Sequence, residues 1–173
     1  LKLPLASGVC ALALATAAAG QSSWQRGIEF GTTADAGYLV RLALSNRQAT
    51  HWPEPALVVD RYAGAYTGPL VDERNDNALR DAGITPVLAA RRGTSDGSLA
   101  LELGFGIHLL FAVHGEDNNL ASAFQFGDHV GIEWQPAGAR WRIGYRFQHL
   151  SNASIAPPND GVEFHILRLG WRF

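Results

Sequence analysis

The chain has 173 residues, of which 17% are charged and 47% hydrophobic, and its formal net charge is −2. Its mean hydropathy is −0.03, and beyond residue 20 the longest purely apolar run is 109–113. That run is far shorter than the roughly 18 apolar residues that a membrane-spanning helix needs. A helical membrane protein is therefore excluded, and the low net charge together with many aromatic residues argues against intrinsic disorder.

The first 19 residues differ in composition from the rest of the chain. Lys2, the only lysine, precedes an apolar stretch rich in Ala and Leu, and three alanines at 17–19 supply the small residues that a signal peptidase recognises. The pattern predicts a secretory signal peptide over residues 1–19. A lipoprotein signal with Cys10 as the acylated residue is the alternative, against which the bulky Val9 argues.

Removal of this segment leaves residues 20–173, with no cysteine, no lysine and 13 arginines against 16 acidic residues. Such a chain can form neither a disulfide nor a thiolate metal site. The acidic balance argues against nucleic acid as a partner. No linker or shift in composition divides residues 20–173, so we expect one domain.

Apolar and polar residues alternate with a period of two along the whole chain, while helical periodicity is scarce. In chain order the alternation predicts eight strands, near 24–31, 37–46, 56–67, 79–91, 98–110, 121–135, 139–151 and 162–173. Short connectors, such as residues 137–138, alternate with longer polar ones. The first strand is the least regular, because Arg26 falls among the apolar residues of its face.

The composition of the two strand faces favours a membrane barrel over a soluble sandwich. One face is bulky and apolar, whereas the other carries Gly, Ala, Gln and a few charged residues, which suits the cramped interior of a small barrel. The last strand alternates in the same way up to Phe173, which resembles the C-terminal signature of bacterial outer-membrane barrels. We therefore predict an all-β fold: an eight-stranded antiparallel transmembrane β-barrel in the bacterial outer membrane, with lipid against its apolar face.

Polar residues interrupt the apolar face of the last two predicted strands. Short turns of such barrels are periplasmic, so the strand that begins at Trp141 rises toward the cell exterior and brings His149 and Ser151 near the outer-leaflet interface. Pairing Trp141 with Trp171 then places His149 opposite Glu163. A serine, a histidine and a carboxylate so arranged could act as nucleophile, base and orienting acid. The alternative is that these residues only mark the membrane boundary.

These residues also carry a resemblance to a known family. The motif comprises His149, Ser151, Asn152 and Ala153, then Pro158, Asn159, Asp160, Gly161 and Glu163, preceded by Phe126 and Asp128. It resembles the signature of the outer-membrane lipid A 3-O-deacylases, the PagL-like family. The resemblance implies an eight-stranded barrel that hydrolyses the ester-linked 3-hydroxyacyl chain at position 3 of the proximal glucosamine of lipid A, with lipopolysaccharide as substrate.

The resemblance also implies roles for individual residues. Ser151 is the nucleophile, His149 the base and Glu163 the orienting acid, whereas Asp128 matches a position that looks structural. Asn152, Ser154 and Asn159 support the oxyanion or the loop, through backbone N–H groups of Asn152 and the loop that follows it. Members of the family often have glycine where Ser154 stands. We expect no metal and no cofactor, because no histidine cluster with carboxylates has metal-ligand spacing.

Two other functions remain open at this point. An outer-membrane phospholipase is one, although such enzymes usually need a larger barrel and a calcium-dependent dimer. A non-enzymatic barrel, either an adhesin or a structural protein, is the other, and its long loops would carry the functional residues. The sequence leaves open whether the barrel forms a homodimer.

Overall fold

The computed structural model is a closed antiparallel barrel whose eight strands follow one another in chain order. It describes residues 22–33, 38–51, 57–72, 77–114, 122–157, 159 and 161–173. The strands are β1 (Ser22–Thr32), β2 (Tyr38–His51), β3 (Leu57–Asp72), β4 (Asn77–Thr94), β5 (Gly97–His114), β6 (Phe124–Pro136), β7 (Trp141–Ser151) and β8 (Val162–Arg172). Pairing of β1 with β8 closes the barrel, and none of the described residues forms a helix able to cross a membrane. The predicted signal peptide, with Cys10, lies outside the described residues.

The predicted eight strands and their antiparallel order are confirmed, and the differences lie at the strand ends. Strands β2 and β3 continue to His51 and Asp72, and the β4–β5 hairpin extends down to residue 77 and up to residue 114. The hydrogen-bonded ladder between neighbouring strands does not require alternating side chains, so it continues past the segment where apolar residues alternate. The alternation therefore predicts the apolar part of each strand better than its full length.

The outer surface of the barrel is apolar, as the alternation predicts. On β5, the side chains of Leu101, Leu103 and Phe105 are 60–61% exposed. Trp134 and Trp141 meet edge to face near the short β6–β7 turn, with ring centroids 5.9 Å apart. A contiguous apolar surface of this extent marks a lipid or protein contact rather than a water-exposed surface.

Arg26, the residue that breaks the pattern of β1, has an aromatic partner on this surface. Its guanidinium carbon lies 4.7 Å from the centre of the Phe173 ring. The positive charge is attracted to the ring face. The residue that interrupts the sequence pattern therefore joins the first strand to the residue that follows the last strand.

The interior is filled by ion pairs. Glu133 accepts hydrogen bonds from Arg47 at 2.8 Å, from Arg142 at 2.8 Å and from Arg91 at 3.2 Å. Arg146 bridges Glu29 at 3.1 Å and Glu102 at 3.4 Å. Buried charges are tolerated only when each has a partner of opposite sign, and this network supplies those partners across the barrel.

At the end of the barrel near the β7–β8 loop the interior also contains an apolar cluster. A buried cluster there contains Leu39, Leu110, Leu150, Val162, Phe164 and Ile166. On β7 and β8 these side chains alternate with outward-facing ones, so the cluster lies directly behind the outer surface at that end. Tight packing behind a sheet fixes the backbone from which the outward side chains project.

Candidate active site

The register between β7 and β8 brings His149 next to Glu163. Trp141 pairs with Trp171, as predicted. Eight residues further along β7, His149 pairs with Glu163 on the same face. Both side chains project to the outer surface, with 34% of His149 and 65% of Glu163 exposed. Nδ1 of His149 lies 4.0 Å from Oε1 of Glu163. The predicted pairing is confirmed at the level of the backbone ladder.

Ser151 completes this outward row at the last position of β7. Its side chain is half-buried and lies on the same face as His149, since residues two apart on a strand share a face. Among the described residues no hydrogen bond joins its hydroxyl to the His149 ring, and 4.0 Å is too long for a hydrogen bond from His149 to Glu163. Such contacts are often loose without substrate and tighten when it binds.

Gly161, the residue before β8, packs against the His149 ring. Its φ is +63°, and a Cβ at this position would lie 2.7 Å from Cε1 of His149 and 3.3 Å from Nε2. A side chain here would therefore both strain the backbone and press on the imidazole. The glycine of the motif allows the chain to pass beside the ring.

Asn152 and Asn159 hold the loop that follows Ser151. Asn152 is fully buried, and its backbone N–H donates a hydrogen bond to Oδ1 of Asn159 at 2.9 Å. Its side-chain amide donates to the carbonyl of Ala156 at 2.7 Å, and the N–H of Ile155 donates to the Asn152 carbonyl at 3.1 Å. These bonds close a tight turn beside the candidate nucleophile. Pro158 and Asp160 of the motif lie outside the described residues.

The next two residues of the loop have a left-handed backbone. The φ angles are +53° at Ala153 and +60° at Ser154, a conformation that costs a non-glycine residue about 1–2 kcal/mol. Glycine adopts it freely, which explains why glycine suits the position of Ser154. Among the described residues, the N–H groups of Ala153 and Ser154 donate no hydrogen bond.

Asp128 lies on the other side of His149. It pairs with His149 in the β6–β7 ladder, and its side chain is exposed on the outer surface. The resemblance indicates only a structural role for this residue. Its parity with Phe126 and Val130 already places its carboxylate on the apolar face, and the β6–β7 register then makes it a neighbour of the candidate base.

His165 lies on the same face as Glu163, and its hydrogen bond joins it to Tyr145. Its Nδ1 lies 2.6 Å from the hydroxyl oxygen of Tyr145, and its ring packs against Phe147 at a centroid distance of 5.5 Å. His165 therefore belongs to the aromatic surface next to the candidate site.

Comparison with known proteins supports the assignment of this fold and family. The model of the family "Lipid A 3-O-deacylase (PagL)" matches residues 32–172. The lipid A deacylase PagL of Bordetella bronchiseptica is 37% identical over 73 residues, which are 42% of this chain and 40% of that protein. Its counterpart in Pseudomonas aeruginosa is 34% identical over 67 residues, 39% of this chain and 38% of that protein. The matched segments thus span less than half of either relative.

The crystal structure of the outer membrane enzyme PagL has the same fold. It superposes with a TM-score of 0.77 at 23% identity, covering 86% of this chain and 99% of that one. Because the family match extends from the last residue of β1 to the end of β8, it does not rest on the motif alone. The chain is a β-barrel of the bacterial outer membrane and belongs to the lipid A 3-O-deacylase (PagL) family.

Proposed function

We propose that this protein is an esterase that removes the 3-O-linked 3-hydroxyacyl chain from lipid A, with Ser151, His149 and Glu163 as its catalytic triad. The pairing of His149 with Glu163 on the outer surface is the observation that carries the proposal. Ser151 follows on the same face, and membership of the deacylase family supplies the substrate class. The substrate would be lipopolysaccharide in the membrane that surrounds the barrel.

The height of the triad on the barrel suits a lipid substrate. Over the ten steps from Trp141 to Ser151, a strand rises about 24 Å at 3.4 Å per residue and a tilt of about 45°. The apolar band of such barrels is about 25 Å tall. Ser151 therefore stands near the outer-leaflet interface, where the ester linkages of lipid A lie. The substrate can reach the serine from the side without leaving the membrane.

The geometry supports a two-step ester hydrolysis. Once substrate binding closes the 4.0 Å gap between the two side chains, Glu163 accepts a hydrogen bond from Nδ1–H of His149, which leaves Nε2 unprotonated for Ser151. Nε2 takes the hydroxyl proton as Oγ of Ser151 bonds to the ester carbonyl carbon. The intermediate breaks the bond to the sugar oxygen, which receives that proton from Nε2. Water then attacks the acyl-serine with His149 as base, releasing the 3-hydroxy fatty acid and restoring Ser151.

The loop after Ser151 supports an assignment of the oxyanion site. The N–H of Asn152 is already bonded to Asn159, so we assign Asn152 and Asn159 to holding the loop in shape. The backbone N–H groups of Ala153 and Ser154 are the donors that we assign to the carbonyl oxygen in the transition state. Donors held in place before the reaction stabilise the developing negative charge at little reorganisation cost.

Replacement of the nucleophile tests this function. The purified wild type, Ser151→Ala and Ser95→Ala are each incubated in detergent with defined lipid A, and the products are examined by mass spectrometry. Ser95 lies in the exposed β4–β5 turn, so its variant controls for loss of a serine hydroxyl. We expect loss of one 3-hydroxyacyl chain with the wild type and Ser95→Ala, and none with Ser151→Ala. Equal deacylation by Ser151→Ala would overturn the triad, and an inactive wild type would overturn the function.

A further inference from the structure

His149 has a carboxylate on each side along one rung of the outer surface. Strand pairing places Asp128 next to it on β6 and Glu163 next to it on β8. Neighbouring strands are about 4.8 Å apart, so all three side chains lie within reach of one small polar group. The triad needs only one carboxylate, which leaves Asp128 without a role in the proposed chemistry.

The surroundings of Asp128 indicate that its partner is not part of the barrel. Among the described residues, its carboxylate makes no hydrogen bond and no ion pair. Its other neighbour in the ladder is Phe105, whose ring stacks on Phe126 at 5.7 Å. A carboxylate on an apolar wall is costly when no donor satisfies it. A bound lipid that brought its own hydrogen-bond donor would remove that cost.

An acylated glucosamine carries one such donor beside the scissile bond. The oxygen on ring carbon 3 belongs to the ester and can only accept hydrogen bonds. Ring carbon 2, its neighbour, carries the acylated nitrogen, whose amide N–H is a donor. For His149 to protonate the leaving oxygen, that oxygen must lie at the ring nitrogen. The amide on the next carbon then lies within about one strand spacing of His149, which is the distance to Asp128.

We propose that Asp128 is a specificity residue that accepts a hydrogen bond from the amide N–H next to the scissile ester. The inference rests on the proposed deacylase function and adds the group of the substrate that the site would recognise. It predicts that the protein prefers esters with an acylated amine on the neighbouring carbon. A carboxylate on the β6 side would also fix which side of the sugar faces that strand.

Two matched substrates and the isosteric variant Asp128→Asn test this assignment. One substrate is the 2-N-acyl, 3-O-(3-hydroxyacyl) glucosamine lipid, and the other replaces the amide at carbon 2 by an ester, which removes the N–H. We expect the wild type to prefer the amide substrate in kcat/KM by about 10- to 100-fold, the worth of a hydrogen bond to a charged group. In Asp128→Asn we expect this ratio to fall below that of the wild type, to about 2- to 10-fold, because the neutral amide oxygen still accepts the hydrogen bond but more weakly.

The Glu163→Gln variant serves as the matched control, because it removes the other carboxylate of the same rung. We expect it to slow both substrates and to keep the preference for the amide. An equal loss on both substrates in Asp128→Asn would show that Asp128 positions His149 and would overturn the assignment. Equal rates of the wild type on both substrates would overturn it as well. A wild type inactive on both would instead overturn the proposed function.

Discussion

Substitution of Gly161 by alanine tests whether the position of the His149 ring matters for activity. The added Cβ would lie 2.7 Å from Cε1 of His149, whereas ordinary contacts begin at 3.4 Å. The atom it meets is the far end of a side chain that is 34% exposed. The imidazole can therefore move aside, so the clash displaces the candidate base without breaking the barrel.

The size of the effect follows from this displacement. The ring must shift by about 0.7 Å, the shortfall from ordinary contact, and a misplacement of about 1 Å in an active site can lower the rate about 100-fold. The positive φ of Gly161 adds about 1–2 kcal/mol of backbone strain for alanine. That strain is partly offset, because alanine also restricts the unfolded chain. We expect kcat/KM to fall about 10- to 100-fold and the free energy of unfolding to fall by about 1 kcal/mol.

Gly138 provides a control with the same backbone strain and no contact. Its φ is +71°, and a Cβ there would meet nothing within 4 Å, in the short β6–β7 turn at the opposite end of the barrel. Gly161→Ala, Gly138→Ala and the wild type are compared in deacylation of lipid A and in thermal unfolding in detergent. Both variants should lose similar stability, and only Gly161→Ala should lose activity. Equal activity in the two variants would refute the reasoning.

Two more substitutions distinguish a residue needed for catalysis from a residue needed for stability. Glu163→Gln should leave the fold intact, since this side chain is 65% exposed. It should lower kcat about 10²- to 10⁴-fold, because the amide cannot stabilise a protonated imidazole. An unchanged kcat would remove Glu163 from the triad. Arg146→Ala should lower the free energy of unfolding in urea by about 1.5–3 kcal/mol, because Glu29 and Glu102 each lose a charged hydrogen bond but keep Arg168 as a partner. The control Arg26→Ala loses only a contact with an aromatic ring, worth at most about 1 kcal/mol. An equal loss of unfolding free energy in both variants would contradict the importance of the interior network.

Much of the site could be predicted because a strand has only two faces. Once the alternation is recognised, parity alone puts His149, Ser151 and Glu163 on the apolar face. The pairing of Trp141 with Trp171 then sets the register between β7 and β8. The same parity applies to Asp128, but its neighbour across the ladder depends on the β6–β7 register. Arg26 interrupts the sequence pattern because its aromatic partner, Phe173, follows the last strand and is far away in sequence.

The sequence by itself determined the fold class, the number and order of the strands, the apolar outer face and the row of polar residues on β7 and β8. These features follow from side chains that alternate along each strand, which is a local property. Only the tertiary structure decided which interior arginine meets which glutamate, how the Asn152 loop closes, and that Gly161 touches the His149 ring. Those contacts depend on closure of the barrel and on backbone angles in one loop, and neither is encoded in a period of two.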